Sequence, residues 1–143
     1  LIKRKIDYDY TNYIELTTTM EVIRIEATDE TPKVILDAAA NQFEFSGKSL
    51  PEDVTSFYNP LLEWLDAYSN SPNPLTKVIF KLDYFNTASS KMILDILLKM
   101  EEMNEAGHKV LASWHYREDD EDMQEAGEEY AEIVEIPFEQ ISY

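Results

Sequence analysis

The chain contains no cysteine, and that absence removes disulfides, thiolate zinc sites and cysteine nucleophiles together. A reducing compartment suits such a chain, and a cytoplasmic location is the expectation. Three glycines are too few to build a glycine-rich phosphate cradle, and neither a G-x-S-x-G elbow nor a pair of histidines at metal-ligand spacing occurs. No apolar run approaches the roughly 20 residues that a bilayer-crossing helix needs, and the first residues lack the basic, apolar, small-residue order of an export signal. Basic residues are scarce: 12 against 29 acidic ones, a formal charge of −17. That charge repels phosphate backbones and anionic membrane surfaces. Nucleic acid and membrane are therefore not expected as partners, and nothing in the residue pattern calls for a cofactor or a metal.

What is present is the composition of a folded domain. Hydrophobic residues make up 44% of 143 positions and aromatics 12%, enough for one core without staples. Residues 1–19 open on Leu1, carry Lys3-Arg4-Lys5 and alternate aromatic and polar residues from Tyr8 to Tyr13. They are read as an N-terminal extension with no assigned role, Met20 being the expected start of the domain proper, residues 20–143.

Glu21 to Glu26 alternates apolar and polar residues and reads as an edge strand. Val34–Asp37 and Gln42–Gly47 read as a hairpin. From about Pro51 to Tyr68, Phe57, Leu61, Leu65 and Tyr68 recur at spacings of three and four, the signature of a helix laid on a sheet, and Pro72 and Pro74 close it. Thr76 to Phe85 is a buried strand. A second helix, about Ala88 to Ala106, carries Ile93, Ile96, Leu97, Met100 and Met103 on one face and ends at Gly107. His108 to Tyr116 is the next strand, a third helix reaches Tyr130 or Ala131, and Ile133 to Phe138 is read as the last strand, with Pro137 marking an edge or an end. The sum is a single α/β domain, a mixed sheet with helices packed against it in two or three layers.

Three features could carry chemistry. His108 and His115 read as a surface or core histidine each. Glu118 to Asp122 clusters oxygen ligands but lacks the glycine and ligand spacing of a calcium loop; carboxylates at a helix start are favoured by the dipole, and a recognition surface is the further option. Asn86-Thr87-Ala88-Ser89-Ser90 sets three hydroxyls at a strand end and a helix N-terminus. Such residues cap helices. A hydroxyl there is also open to a kinase, and a phosphate would gain from free backbone N–H groups and the dipole, while its charge of about −2 would oppose burial by a partner.

The hairpin followed by Gly47-Lys48-Ser49-Leu50-Pro51-Glu52, then Pro60-Leu61-Leu62-Glu63-Trp64-Leu65, Leu82 to Lys91, Trp114-His115-Tyr116 and Pro137-Phe138 together resemble the SiaC family of bacterial regulatory phosphoproteins, which is similar to STAS-type anti-sigma-factor antagonists. The resemblance spans about Thr31 to Phe138. It implies a STAS-like fold and a binding protein, not an enzyme, in a partner-switching pathway. Thr87 would be the phosphoacceptor, with Asn86, Ser89 and Ser90 supporting the loop and helix start. The implied partners are a protein kinase with an anti-sigma-like ATPase fold, a PP2C-type phosphatase and, for the unphosphorylated form, a diguanylate cyclase, which links the switch to cyclic-di-GMP and biofilm behaviour. The alternative within the same fold is an anti-sigma-factor antagonist acting on a sigma-factor kinase. Ala88 stands where the family commonly has serine, and residues 1–29 have no counterpart in it.

Overall fold

A computed structural model describes residues 20–143; the extension read over residues 1–19 lies outside the described residues. Six strands form one sheet in the order β1-β2-β3-β4-β5-β6: Ile23–Ile25, Lys33–Asp37, Gln42–Ser49, Leu75–Phe85, Lys109–Tyr116 and Phe138–Ser142. β1, β2 and β3 pair antiparallel, and β3 to β6 pair parallel. The parallel pairs need crossovers, supplied by α1 (Val54–Tyr68), α2 (Thr87–Glu105) and α3 (Glu121–Ile133). Because the strands advance in one direction across the sheet, right-handed crossovers lay all three helices on the same face. The two-layer option therefore holds. Among the described residues no helix is long and apolar enough to cross a membrane.

The helix-facing side of the sheet is aromatic from β3 to β6. Phe43 lies 5.1 Å from Tyr68 of α1, Phe45 stacks on Phe80 at 5.6 Å, Phe80 meets Trp114 at 5.7 Å, and Trp114 meets Tyr130 of α3 at 5.4 Å. Ile93, Ile96, Leu97, Met100 and Met103 of α2 fill the middle of this layer. The helical stripe of α1 is Tyr58, Leu61, Trp64, Leu65 and Tyr68. Tyr58 takes the buried place expected of Phe57, which is only half-buried. Among the described residues the opposite sheet face carries no helix; Lys33, Ile35, Glu44, Ile79, Lys81 and Ser113 lie on it.

Two places depart from the sequence reading. Pairing of β3 with β4 shifts between Gly47 and Lys48, so that Lys48 meets Tyr84 and Ser49 meets Phe85. One extra residue in β4 reverses which side its last residues face. Phe85 turns toward Trp114 and Tyr130, and Tyr84 is left 52% exposed. Gly47, at φ +98°, supplies the backbone conformation. The last strand was expected over Ile133 to Phe138; instead α3 continues through Ile133, the Val134 amide closes it on the Tyr130 carbonyl, and the strand is Phe138–Ser142. Pro137 has no N–H to give a ladder, but its carbonyl accepts from the Ala112 amide at 3.0 Å and so leads β6 into register.

Gly127 allows α3 to sit close on β5 and β6. A Cβ at this position would fall 2.8 Å from Trp114 Nε1 and 2.6 Å from Gln140 Nε2, inside contact distance. Trp114 is also held by its own Nε1–H, which donates to the Met123 carbonyl at 2.9 Å. Glycine to alanine in an exposed helix interior stabilises by about 1 kcal/mol. Here Gly127→Ala is expected to destabilise by about 1–3 kcal/mol through overpacking, read as a lower urea midpoint with an unchanged slope.

Candidate functional site

The parallel strands β3, β4 and β5 end at one edge of the sheet, and each hands its chain to a helix there. All three helix starts use the same device. Asp53, Asn86 and Asp120 each accept the amide hydrogen of the third residue on, Ser56 at 3.1 Å, Ser89 at 2.8 Å and Met123 at 3.0 Å, which satisfies one otherwise unpaired N–H per helix. Asp53 is held below the usual carboxylate range by its bonds to Ser56 and Thr55.

At the start of α2 the three hydroxyls of the cluster fall into different environments. Ser89 is fully buried, and its Oγ accepts from Ser49 Oγ at 2.8 Å. Ser90 donates its hydroxyl to the Thr87 carbonyl at 2.6 Å. Thr87 is exposed, and among the described residues its hydroxyl makes no hydrogen bond. Asn86 is the cap, its own amide donating to the Ser49 carbonyl at 3.0 Å and its carbonyl accepting from Ser90 N–H at 2.9 Å. The amides of Thr87 and Ala88, first in the helix, have no intrahelical partner and lie beside the Thr87 side chain. Lys91 follows one turn later on the same exposed side. An anion attached to Thr87 would meet two free N–H groups, the positive end of the helix dipole and a lysine.

Three residues brace this turn in a role the sequence reading did not give them. Ser49 and Tyr58 bury their hydroxyls beneath it, 2.5 Å apart, and Tyr130 of α3 donates to the Ser90 carbonyl at 2.7 Å. Burial pushes both phenols above their ordinary pKa, so both remain protonated donors. Spacing could have found two of them: Ser49 continues the inward parity of Phe43 and Phe45, and Tyr58 precedes Leu61 and Leu65 by three and seven.

The other candidates resolve into structural roles. Asp120 caps α3, and Glu121 and Asp122 occupy its first turn. Among the described residues no three His, Asp or Glu side chains converge to hold a metal. His108 precedes β5 and donates its amide to the Met103 carbonyl. His115 lies on the sheet face opposite α1, α2 and α3, with Nε2 2.9 Å from Ser113 Oγ. Ser113 gives its single proton to Glu139 at 2.7 Å, so His115 Nε2–H is the donor to it. Burial, then Lys81 and Lys77, lower the His115 pKa against the smaller opposing pull of Glu139 and Glu44.

Two outcomes follow. Asn86→Ala is expected to cost about 1 kcal/mol of stability, with Asn86→Asp close to wild type, in chemical denaturation. For His115 the folded pKa lies below the unfolded value, so the unfolded chain binds more protons in between, and stability is lost as pH falls from 7 through that window. His115→Gln is expected to flatten the decline in thermal midpoint between pH 7 and pH 6.

Comparison with known proteins places this geometry. The family described as SiaC family regulatory phosphoprotein matches residues 25–143. An uncharacterised protein of Pseudomonas aeruginosa strain UCBPP-PA14 is 31% identical over 120 residues, 83% of this chain and 94% of the relative. The crystal structure of apo-SiaC from P. aeruginosa matches with a TM-score of 0.78 at 29% identity, over 85% of this chain and 99% of that one. The crystal structure of diguanylate cyclase SiaD in complex with its activator SiaC, from the same organism, matches with a TM-score of 0.80 at 28% identity, over 85% and 99% of the two chains. With a family match across most of its length and the same fold as these structures, the chain belongs to the SiaC family of regulatory phosphoproteins, and its role is regulatory, not enzymatic.

Proposed function

We propose that this chain is a binding protein of a bacterial partner-switching pathway, phosphorylated on Thr87 by a protein kinase with an anti-sigma-like ATPase fold, dephosphorylated by a PP2C-type phosphatase, and bound to a diguanylate cyclase when unphosphorylated. The observation that carries the reading is the sorting of hydroxyls at the α2 start: Ser89 is buried, Ser90 is bonded back to the helix, and Thr87 alone of the three is exposed with no hydrogen bond of its hydroxyl among the described residues. Family membership and the likeness to a SiaC that activates a diguanylate cyclase support the output.

In the forward step Thr87 Oγ1 bonds to the γ-phosphorus of ATP, the bond from that phosphorus to the bridging oxygen breaks, ADP leaves, and the hydroxyl proton passes to a base of the kinase. Hydrolysis by the phosphatase returns threonine and inorganic phosphate. The added charge of about −2 is accommodated by the helix start but opposes burial against a partner, because a charge taken out of water without a counter-charge is costly. Binding is thereby switched without unfolding the domain. Incubation with the partner kinase and ATP is expected to add one phosphate per chain, absent from Thr87→Ala; full labelling of that variant contradicts the assignment. Capture of a sigma-factor kinase with its sigma factor by the unmodified chain, and of no diguanylate cyclase, would favour the anti-sigma-factor antagonist instead.

A further inference from the structure

Beneath the exposed turn lies a chain of three buried hydroxyls drawn from three elements. Ser49 ends β3, Tyr58 lies on α1 and Ser89 on α2, and all three are at most 1% exposed. Ser49 Oγ donates to Ser89 Oγ at 2.8 Å and lies 2.5 Å from Tyr58 Oη. A hydroxyl has one proton, so Tyr58 donates to Ser49 and Ser49 to Ser89. Burying hydroxyls is unfavourable unless each is paired, and alanine and phenylalanine would fill the same volume without that risk. What the polar chain adds is direction: a hydrogen bond fixes where Ser89 points, which apolar contact does not.

Direction matters because of helical geometry. Successive residues of an α-helix are about 100° apart, so Thr87, two positions before Ser89, projects to nearly the opposite side. Fixing Ser89 inward fixes Thr87 outward. The Asn86 cap holds the backbone of the same turn through Ser89 N–H and Ser90 N–H, and Tyr130 holds the Ser90 carbonyl from the other flank. The cap holds the backbone of this turn, and the bond from Ser49 fixes the Ser89 hydroxyl in addition.

We infer that Ser49, Tyr58 and Ser89 are positioning residues for phosphorylation: their buried hydroxyl chain sets the rotational phase of the first turn of α2, presenting Thr87 to the kinase and withholding Ser89, so that modification is confined to one site. This rests on the reading of Thr87 as the acceptor. Tyr58 brings α1 into the device.

The test uses the full chain, ATP and the kinase that labels wild type, with Tyr58→Phe, Ser49→Ala and the double variant, each first shown to unfold cooperatively above the assay temperature. Initial rates over a range of chain concentrations, with phosphopeptide mapping, are the readouts. The expected result is a fall in kcat/KM for Thr87 of about tenfold in the double variant, since small misplacements of a reacting atom carry losses of that order, together with a second phosphate on Ser89 that wild type lacks. Adding Ser89→Ala to the double variant is expected to remove the second phosphate without restoring the Thr87 rate. If the double variant is too unstable, Tyr58→Phe, which deletes one oxygen, carries the same comparison with a smaller loss. Wild-type kcat/KM at Thr87 with no label on Ser89 in these variants, while wild type is labelled on Thr87, overturns this inference alone. A wild-type chain labelled elsewhere than Thr87 overturns the acceptor assignment, and this inference with it.

Discussion

Ser89 is bonded twice, its amide to the Asn86 side chain and its hydroxyl to Ser49, and these two bonds tie the start of α2 to the end of β3. Ser49 closes the same strand, and its carbonyl accepts the Asn86 amide, so strand end, cap and helix start form one hydrogen-bonded corner. The register shift at Gly47 and Lys48 makes that corner possible, because it sets Ser49 opposite Phe85, the residue that leads into Asn86. From there the aromatic layer carries rigidity outward through Phe85, Trp114 and Tyr130. The exposed hydroxyl of Thr87 therefore stands on a part of the fold that is anchored from three sides.

Electrostatics give that corner its sensitivity. Against a chain charge of −17, long-range attraction to an acidic partner is absent, and a surface contact must rely on local complementarity. The amide ends of α2 and the nearby Lys91 make the immediate surroundings of Thr87 more positive than the chain as a whole. Under the proposed function, a phosphate on Thr87 would find local stabilisation in the folded state, while a partner burying the turn would have to desolvate it. On that proposal, the two requirements of a switch, a stable modified form and an altered surface, would come from the same few groups.

Much of this was legible in the residues. The 3.6-residue stripe of α2, the hairpin and the capping signal at Asn86 follow from local periodicity and turn chemistry, which act over a few residues and leave their mark in sequence. The family resemblance singled out Thr87, and the family match over residues 25–143 bears out the family. Other features were hidden for physical reasons. Ser49 and Tyr58 are polar groups whose burial depends on one another across nine positions and on Ser89 forty positions away, a condition that no local pattern encodes. The last strand was misplaced because Val134 and Ile136 alternate as a strand would, yet Val134 is buried as the closing residue of α3 and bonding to β5 begins only at the Pro137 carbonyl. The acidic run from Glu118, read as helix-start carboxylates and not as a calcium loop, does supply the cap of α3 through Asp120.

The central claim is that one surface hydroxyl at an anchored helix start controls an interaction. It is tested most directly by calorimetric titration of a purified diguanylate cyclase of the pathway with the wild-type chain before and after stoichiometric phosphorylation of Thr87. The account predicts saturable binding by the unmodified chain and its loss on phosphorylation, with the far-ultraviolet circular dichroism unchanged. Equal binding by both forms, or binding by the phosphorylated form alone, would contradict it.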